Sequence, residues 1–431
     1  MSKERKNNLI QKWSGKLKVD TNKKVFTFNF ESNIKWTRND SMFFKRCKIF
    51  DKKNMLSIGK QYQKFQLIKT NQFTTQYYTW YNKNQERKVI AMKYLCTFGS
   101  GWDKAIKKVF KKEFTNYYIE FISDGIIIFN TTEIIDTKKM FFFNNVYLLL
   151  KNKKVNTIDY DKCVNEIING LKINYDDIRK NVSNINNKSF KFISIDGNQP
   201  CKLNYRNLSK LEMEIQKNLN LKVSKNKKHD LDFVFLRRND GNMYLLLKLS
   251  YNRTTEKDLE KGSLRPEVSY LLSSLANIKE NDIILDPFTG SGAIPKEIIK
   301  HFKYNMLFAS ELDEEKYNKL KKKFNGNNKK FYIKNFNALN MNFFEDNFID
   351  AIVTDPPWNV YEHKEEDYTE FYLNMLQEMK RIVKPNGRLI ILMGNEYDFE
   401  KALSKINLEL NDKLSVLING KKAKVYILTV K

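Results

Sequence analysis

The sequence has few of the residues from which metal sites and disulfide frameworks are built. It contains only 4 Cys and 3 His in 431 residues. Cys47, Cys96, Cys163 and Cys201 stand far apart, and none forms a Cys-x-x-Cys pair or lies near a histidine at ligand spacing. We therefore predict free, buried thiols and no bound metal.

Long apolar segments are also missing. No run of about 18 apolar residues occurs. The segment 1–6, which contains three basic residues, leads into no apolar stretch of the secretory kind. The 41% of hydrophobic and 13% of aromatic residues still suffice for sizeable cores, which excludes disorder of the whole chain. The length predicts two or three domains, and we expect a soluble cytoplasmic protein with no membrane partner.

Acidic residues are too few to balance the basic ones, and the imbalance is confined to one part of the chain. Overall, 77 Lys and Arg stand against 50 Asp and Glu, a net charge of +27. Residues 1–90 hold 21 basic and 6 acidic residues, residues 91–264 hold 31 and 20, and residues 265–431 hold 25 and 24. An AT-rich coding bias would add lysine everywhere. The asymmetry therefore predicts a basic, polyanion-binding part followed by a neutral part with another task.

Residue patterns divide the basic part into two segments. Residues 24–50 and 62–92 alternate aromatic or β-branched residues with polar ones, which predicts antiparallel strands. From residue 93 to residue 249 the pattern predicts a mixture of strands and helices, and a polar stretch then indicates a boundary. We therefore predict a basic β-rich segment at 1–92 and an α+β region at 93–255.

After residue 264 the pattern becomes a regular alternation of strands and helices. A helix is predicted to begin at Pro266, since proline suits the first helical turn. Strands are predicted at residues 283–285, 306–310, 331–334, 351–353 and 389–393, and a hairpin turning at Asn419-Gly420 closes the chain. This alternation predicts an α/β domain at 265–431, with a Rossmann-like, doubly wound, mostly parallel sheet that ends in an antiparallel hairpin.

A glycine-rich turn follows the first of these strands. It reads Asp286-Pro287-Phe288-Thr289-Gly290-Ser291-Gly292. Ligands of doubly wound sheets bind at the carboxyl ends of strands, where glycines permit close backbone approach and a helix N-terminus offers free N–H groups. The spacing matches neither a dinucleotide fingerprint nor a P-loop. The turn alone therefore predicts a ligand site of unspecified class.

A second motif, Thr354-Asp355-Pro356-Pro357-Trp358, follows the fourth strand. Its two prolines lack N–H groups and stiffen the loop, which leaves two acceptors, the Asp355 carboxylate and the Pro356 carbonyl. Two acceptors match the two hydrogens of a planar exocyclic amine, whose lone pair would then be free to attack an electrophilic methyl group. Trp358 would stack on the ring that bears the amine. An ordinary turn before a helix is the alternative interpretation.

In this order the two motifs resemble those of class I S-adenosylmethionine-dependent methyltransferases that modify exocyclic amines. The resemblance implies that S-adenosylmethionine is the cofactor. It assigns the residues of the first motif to cofactor binding: Asp286, Pro287, Phe288, Thr289, Gly290 and Gly292. It assigns catalysis to the second motif: Asp355, Pro356, Pro357 and Trp358.

The resemblance also implies contacts to the rest of the cofactor. Glu311, after the second strand, stands where the family has a ribose-binding acid, and Asp313 is a second candidate. Asn337 stands where the family usually has an aspartate that contacts the adenine amine. Asparagine can still offer a side-chain oxygen there, but it carries no charge.

Further segments narrow the resemblance to RNA guanine-N2 methyltransferases that carry a THUMP domain (UPF0020-like RNA methylases). Residues 262–267, Gly-Ser-Leu-Arg-Pro-Glu, and the closing hairpin both resemble that family. Residues 190–249 resemble the second half of a THUMP domain, and residues 94–101 resemble its usual start. The resemblance implies methylation of guanine N2 in transfer RNA or, next, ribosomal RNA, which the basic N-terminal half would bind. It does not cover residues 1–90.

One departure from the family leaves the base and the RNA class open. Its transfer-RNA members usually continue with Gly-x-Arg after the aromatic residue, whereas this chain has Asn359-Val360-Tyr361. A DNA adenine-N6 or cytosine-N4 methyltransferase is the first alternative, because it shares the catalytic loop. A non-catalytic RNA-binding protein with a decayed methyltransferase domain is the second. Nothing in the sequence indicates an oligomeric state.

Two charged clusters near the motifs are interpreted as solvent-facing. His363 with Glu365, Glu366 and Asp367 fits a solvated loop over the pocket better than a metal site. Residues 321–323, three consecutive lysines, are expected to end a helix and to face water, where cations suit the helix dipole.

Overall fold

The structure is a computed structural model. It describes residues 91–431 except 124, 205–207, 225–227, 239–240, 252–258, 261, 327 and 359–366, together with the backbone of two earlier strands. The chain divides into two compact units, Met1–Val89 and Ile90–Lys431. In the first unit β1 (Lys18–Asp20) pairs antiparallel with β2 (Val25–Thr27); β2 lies in the strand region predicted at 24–50, whereas β1 precedes it and was not predicted. The other strands predicted before residue 91 lie outside the described residues.

The N-terminal module of the second unit, residues 91–251, is an α+β structure. Its elements are β3 (Met92–Thr97), α1 (Asp103–Glu113), β4 (Tyr118–Ser123), β5 (Ile126–Thr131), β6 (Asn145–Lys154), α2 (Tyr160–Ile168), α3 (Tyr175–Asn181), β7 (Ser189–Asp196), β8 (Gln199–Pro200), α4 (Ser209–Leu219), β9 (Lys222–Val223), β10 (Leu231–Arg237) and β11 (Asn242–Lys248). The strands form one sheet in the order β4-β5-β3-β6-β11-β10-β7-β8, with β9 beside β7.

The core of this module follows from the spacing of its apolar residues. In α1 four apolar residues recur with helical spacing and are buried: Ala105, Ile106, Val109 and Phe110. Cys96 and Cys163 are buried, as predicted, and form no disulfide among the described residues. Cys201 is a half-buried free thiol, and Cys47 lies outside the described residues.

The C-terminal domain, residues 262–431, alternates helices and strands as its sequence predicts. Its elements are α5 (Pro266–Leu275), β12 (Ile283–Asp286), α6 (Ala293–His301), β13 (Met306–Ser310), α7 (Glu314–Lys323), β14 (Phe331–Lys334), β15 (Ile349–Thr354), α8 (Thr369–Ile382), β16 (Val383–Met393), α9 (Glu396–Leu403), β17 (Leu408–Ile418) and β18 (Lys421–Val430). Among the described residues, no helix is long and apolar enough to cross a membrane.

These strands form a seven-stranded sheet in the order β14-β13-β12-β15-β16-β18-β17. The first five are parallel, and β18 runs antiparallel to both of its neighbours. Strand β12 is buried along its whole length, as in parallel sheets that are covered on both faces. Asn419 and Gly420 have φ of 50° and 79°, the left-handed pair that a two-residue hairpin turn requires. The predicted Rossmann-like fold with its closing hairpin is confirmed.

The N-terminal module contacts the C-terminal domain at the edge strand β17. Leu417 donates its backbone N–H to the Ser100 carbonyl at 3.1 Å. Gly101, next in the chain, has φ +86°, and a Cβ there would lie 1.8 Å from the Ser415 carbonyl oxygen. The loop therefore needs glycine both for its left-handed backbone and for its contact with the edge strand.

A substitution at Gly101 tests this junction. We expect Gly101→Ala to lower the free energy of unfolding by about 2–4 kcal/mol, because it strains the backbone and forces β17 away. Gly170→Ala is the matched control, since Gly170 has φ +66° but nothing within 4 Å. Its expected cost is about 1 kcal/mol of backbone strain. Urea unfolding of both variants measures the difference, and equal losses would show that the contact with β17 contributes nothing.

Candidate active site

The two predicted motifs lie side by side at the carboxyl edge of the C-terminal sheet. Strand β12 ends at Asp286, and its Leu285 pairs with Ile352 of β15. The chain runs outward from β12 through β13 and β14 and then returns to β15 on the other side. Ligands of doubly wound sheets bind where the strand order reverses in this way. Here the reversal brings Asp286 and Asp355 to one site, close enough for their charges to interact.

Asp286 is an almost fully buried carboxyl group, with 1% of its surface exposed. Its Oδ1 accepts hydrogen bonds from Thr354 Oγ1 at 2.8 Å and from the Phe288 N–H at 3.3 Å. Its Oδ2 is buried and receives no hydrogen bond within the described part of the chain. Burial raises the pKa of Asp286 to about 7, and the charge of Glu311 adds to the rise. Such an acceptor is suited to a cationic ligand group, which would favour its charged form.

The loop from β12 to α6 has the conformation that its glycines predict. Gly290 and Gly292 have φ of 53° and 82°, and Gly292 precedes the first residue of α6. A Cβ on Gly292 would lie 2.5 Å from Phe324 Cε2, so glycine also allows close packing with that ring. The Thr289 hydroxyl donates to the Asp286 carbonyl at 2.8 Å and closes the turn. Of the other two predicted residues, Pro287 is buried and Phe288 is half-buried.

Glu311 follows β13 and faces the glycine loop. Its Oε2 accepts a hydrogen bond from the Gly290 N–H at 3.0 Å, and its Oε1 accepts one from the Asp313 N–H at 3.1 Å. Asp313 instead caps α7, since its Oδ1 accepts a hydrogen bond from the Lys316 N–H at 2.9 Å, which lowers its pKa. Of the two acidic candidates, Glu311 is therefore the one in contact with the predicted cofactor loop.

Asn337 lies on an exposed turn after β14. Its Oδ1 accepts a hydrogen bond from the Leu339 N–H at 2.9 Å, so the oxygen expected to face adenine stabilises the turn. Nearby Asn335, which the sequence did not single out, donates from Nδ2 to the backbone carbonyls of Glu311 and Leu312 at 2.7 and 3.0 Å. The adenine contact of Asn337 stays a prediction, and Asn335 is the residue that ties this turn to Glu311.

The Asp-Pro-Pro-Trp loop is held by its own side chains and by α8. The indole Nε1 of Trp358 donates to Asp355 Oδ1 at 2.8 Å, and Tyr372 Oη donates to the Pro357 carbonyl at 2.9 Å. Burial raises the pKa of Asp355 to about 7; the charge of Asp286 adds to the rise and the indole N–H opposes it. Asp355 and Trp358 are half-buried, Pro356 is buried and Pro357 is exposed.

Several contacts at the site are not apparent from the sequence motifs. Thr354, to which the motif gave no role, connects the two loops through Asp286. Residues 321–323 are exposed at the end of α7, as predicted, and Lys323 also donates from Nζ to the Ser291 carbonyl of the glycine loop at 2.6 Å. The hydroxyls of Ser263 and Ser291 lie 2.6 Å apart and join the segment before α5 to the same loop. The contact of Thr354 could have been predicted from its position beside Asp355 in the motif. The other two contacts could not, because they depend on packing between segments far apart in the chain.

The charged cluster after the second motif is only partly described. Residues 359–366, which include the departure at 359–361 and His363, Glu365 and Glu366, lie outside the described residues. Asp367 forms an ion pair with Lys401 Nζ at 2.7 Å, and hydrogen bonds from Lys401 and Thr369 hold its pKa below the usual range. Asp367 therefore has a structural role at the start of α8.

Comparison with known proteins identifies the C-terminal domain. Residues 253–424 match the RMKL-like methyltransferase domain family (UPF0020). A tRNA (guanine(10)-N2)-dimethyltransferase of Methanocaldococcus jannaschii is 26% identical over 283 residues, which cover 59% of this chain and 75% of that protein. A tRNA (guanine(6)-N2)-methyltransferase of the same organism is 23% identical over 205 residues, 39% of this chain and 54% of that protein.

Solved structures share the fold beyond the C-terminal domain. TrmN from Thermus thermophilus matches 79% of this chain and 100% of its own chain, with a TM-score of 0.61 at 16% identity. A possible methylase from Clostridium difficile 630 matches 79% of this chain and 98% of its own, with a TM-score of 0.57 at 13% identity. A match of this extent must include much of the N-terminal module. The THUMP assignment and the boundaries at 92 and 255–265 remain predictions.

The pH dependence of folding stability tests the charge state of Asp286. Its pKa is about 7 in the folded protein, against about 3.9 in an unfolded chain. Folding therefore favours the protonated carboxyl, and its contribution to stability declines as pH rises from about 4 to about 7. In Asp286→Asn this decline is absent, so the stability of the variant relative to the wild type should rise by about 2 kcal/mol between pH 5 and pH 8.

Urea unfolding at the two pH values measures this change. Glu409→Gln, at an exposed position on β17, is the control for the loss of a surface carboxyl group. If the difference between Asp286→Asn and the wild type were the same at pH 5 and pH 8, the carboxyl would titrate as it does in water.

Proposed function

Residues 253–424 form a methyltransferase domain of the RMKL-like family, and from this premise we propose that the chain methylates the exocyclic amine of an RNA base with S-adenosylmethionine. The base is guanine, methylated at N2, and the RNA is transfer RNA, with ribosomal RNA as the second candidate. One observation carries the proposal: Thr354 Oγ1 lies 2.8 Å from Asp286 Oδ1. This contact joins the glycine loop to the Asp-Pro-Pro-Trp loop, so a cofactor on one loop and an amine on the other would meet.

The groups around the glycine loop fit S-adenosylmethionine, which supplies an electrophilic methyl group when bound. The buried Oδ2 of Asp286, which lacks a donor among the described residues, suits the ammonium of the methionine part. The backbone N–H groups of Ala293 and Ile294 in the first turn of α6 suit its carboxylate, whereas Pro295 contributes none. The carboxylate of Glu311, already in contact with the loop at Gly290, suits the ribose hydroxyls. Sites for the ammonium, the carboxylate and the ribose hydroxyls of the cofactor thus lie side by side at the ends of β12 and β13.

The Asp-Pro-Pro-Trp loop would orient the amine. The indole occupies Oδ1 of Asp355, so Oδ2 and the Pro356 carbonyl are the acceptors for the two amine hydrogens. An amine held in this way keeps its lone pair free and aimed at the methyl group, which lowers the entropic cost of reaction. The ring of Trp358 lies beside the carboxylate, where it would stack on the base.

Asp355 is also suited to remove the proton that the amine must lose. Its pKa of about 7 lies close to neutral pH. A general base with such a pKa is ionised in a large fraction of the molecules and still binds a proton well. The same carboxylate would therefore first accept a hydrogen bond from the amine and then take its proton. Methyl transfer should accordingly rise with pH through about 7 as Asp355 ionises.

The choice of RNA and of guanine rests on the relatives and on the charge distribution. Both relatives named above are tRNA guanine-N2 methyltransferases, and one of them is similar over 59% of this chain. A target base must leave its stack to reach such a pocket, and phosphate contacts outside the pocket supply most of the affinity. The excess positive charge before residue 265 is suited to those contacts.

Helix α1 carries a surface that fits an RNA backbone. Lys107, Lys108, Lys111 and Lys112 are exposed opposite its buried apolar side, and none forms an ion pair with a described acidic residue. Partial desolvation of its ammonium group and the neighbouring charge of Lys112 lower the pKa of Lys108. Like charges one helical turn apart repel each other, and a line of phosphates would relieve this repulsion.

Substitution of Asp355 tests the proposed reaction. Asp355→Ala should abolish methyl transfer while binding of S-adenosylmethionine and RNA persists, because the amine and the Trp358 indole lose their acceptor whereas the glycine loop and the basic surface are unchanged. Asp355→Asn keeps one acceptor oxygen, for which the indole N–H and the amine compete, and has no base, so we expect a loss of about 10²–10⁴-fold and no rise in rate near pH 7. Initial rates with radiolabelled cofactor across pH 5.5–8.5 measure both effects. Full activity in Asp355→Ala would exclude the mechanism.

The lysines of α1 give a separate test of RNA binding. Lys108→Gln/Lys112→Gln should weaken RNA binding and reduce the slope of log Kd against log salt concentration by about 1–2, because two phosphate contacts are lost. Lys329→Gln/Lys405→Gln removes two exposed lysines from the neutral domain and is the matched control. A salt titration of RNA affinity compares the two variants with the wild type. Identical slopes in all three proteins would exclude α1 from the RNA contact.

A further inference from the structure

The indole of Trp358 lies against a glycine at the end of the neighbouring strand. Gly394 directly follows β16, which pairs in parallel with β15. A Cβ on Gly394 would lie 2.2 Å from Cε3, 2.4 Å from Cδ2 and 2.9 Å from Cγ of Trp358. Non-bonded carbon atoms keep about 3.5–4.0 Å apart, so any side chain at this position would displace the indole by about 1 Å or more.

The backbone at Gly394 gives no separate reason for glycine. Gly394 is not among the described glycines with positive φ, which include Gly290 and Gly292 in the cofactor loop. The three nearest atoms that a Cβ would meet all belong to the Trp358 side chain, and none belongs to the backbone. The missing side chain at 394 therefore makes room for one particular group, the indole.

The indole in turn fixes the carboxylate that the reaction needs. Its Nε1 donates to Asp355 Oδ1 at 2.8 Å, and that bond sets the direction in which Oδ2 points. A phenylalanine at 358 could stack on a base but has no N–H to donate. Displacement of the indole by 1 Å would lengthen or break this hydrogen bond, whose strength depends steeply on geometry. The position of Asp355 thus depends on the room at Gly394.

We propose that Gly394 is a positioning residue for methyl transfer, because it seats Trp358 so that the indole N–H aims Asp355 at the amine. The inference rests on the proposed function, since it concerns the acceptor of that same reaction. The atoms nearest to a Cβ on Gly394 all belong to Trp358, so Gly394 acts only through the indole. Its substitution should therefore change the rate of the chemical step far more than cofactor binding.

A double-mutant cycle separates this role from a general effect on folding. Gly394→Ala should lower kcat by about 10–100-fold, because it misplaces a catalytic group. The KM for S-adenosylmethionine should stay within about twofold of the wild-type value. Trp358→Ala removes the atoms that the new methyl group would strike. Adding Gly394→Ala to Trp358→Ala should then change the residual rate by less than about twofold. Gly326→Ala is the control, since Gly326 has ordinary φ and nothing within 4 Å, and it should keep wild-type activity.

Two further readouts report on the carboxylate and on the indole itself. Trp358→Phe should move the acidic limb of the pH–rate profile to higher pH, because the indole N–H that lowers the pKa of Asp355 is lost. In ¹⁵N spectra, the indole N–H signal of Trp358, identified by its loss in Trp358→Phe, should shift in Gly394→Ala and stay unchanged in Gly326→Ala. The second readout does not depend on activity.

The outcomes distinguish this inference from the proposed function. A wild-type protein that binds S-adenosylmethionine but methylates no RNA would overturn the proposed function. An active wild type in which Gly394→Ala costs the same with and without Trp358, or leaves the indole signal unmoved, would overturn the positioning role alone. If Gly394→Ala lowers kcat only in the protein that retains Trp358, and if it also shifts the indole signal, the positioning role is supported.

Discussion

The hydrogen bond from Thr354 to the buried carboxyl of Asp286 is the contact on which the rest of the site depends. The two residues end neighbouring parallel strands, β15 and β12, at the point where the strand order of the sheet reverses. Asp286 begins the glycine loop, and Thr354 precedes Asp355. One buried hydrogen bond therefore sets the distance between the loop that fits a cofactor and the loop that fits an amine. Because protein interiors are close-packed, a shift at this contact would move both loops.

The site places two carboxyl groups near each other at low exposure, which costs stability in the absence of ligand. Burial is the main reason that the pKa values of Asp286 and Asp355 rise to about 7; the charge of Glu311 adds to the rise at Asp286, and the charge of Asp286 adds to the rise at Asp355. A cationic ligand group beside Asp286 would favour its ionised form, and an amine beside Asp355 would use the oxygen that the indole leaves free. Binding of the cofactor and the base would thus offset the free-energy cost of burying two carboxyl groups, as is common at functional sites.

Much of the C-terminal domain could be predicted because its strands are buried apolar runs separated by clear turns. The strands Met306–Ser310 and Phe331–Lys334, and the helix start at Pro266, agree with their predicted positions. Helix α9 was missed, since Glu396–Leu403 has only two buried residues and a weak apolar pattern. Within the site, the pairing of Glu311 with Gly290 follows from motif order along parallel strands. The contact between Trp358 and Gly394 could not be predicted, because Gly394 lies 36 residues later in the chain, at the end of another strand.

The most direct test of the proposed function uses the purified protein and S-adenosylmethionine with a labelled methyl group. Transfer RNA, ribosomal RNA or DNA is offered as the substrate, and the labelled nucleoside is identified by mass spectrometry. The Asp355→Ala variant and a calorimetric measurement of cofactor binding serve as controls. The proposed function predicts label in N2-methylated guanosine of transfer RNA, absent with Asp355→Ala. Label on DNA alone, or none on any nucleic acid from a protein that binds the cofactor, would contradict it.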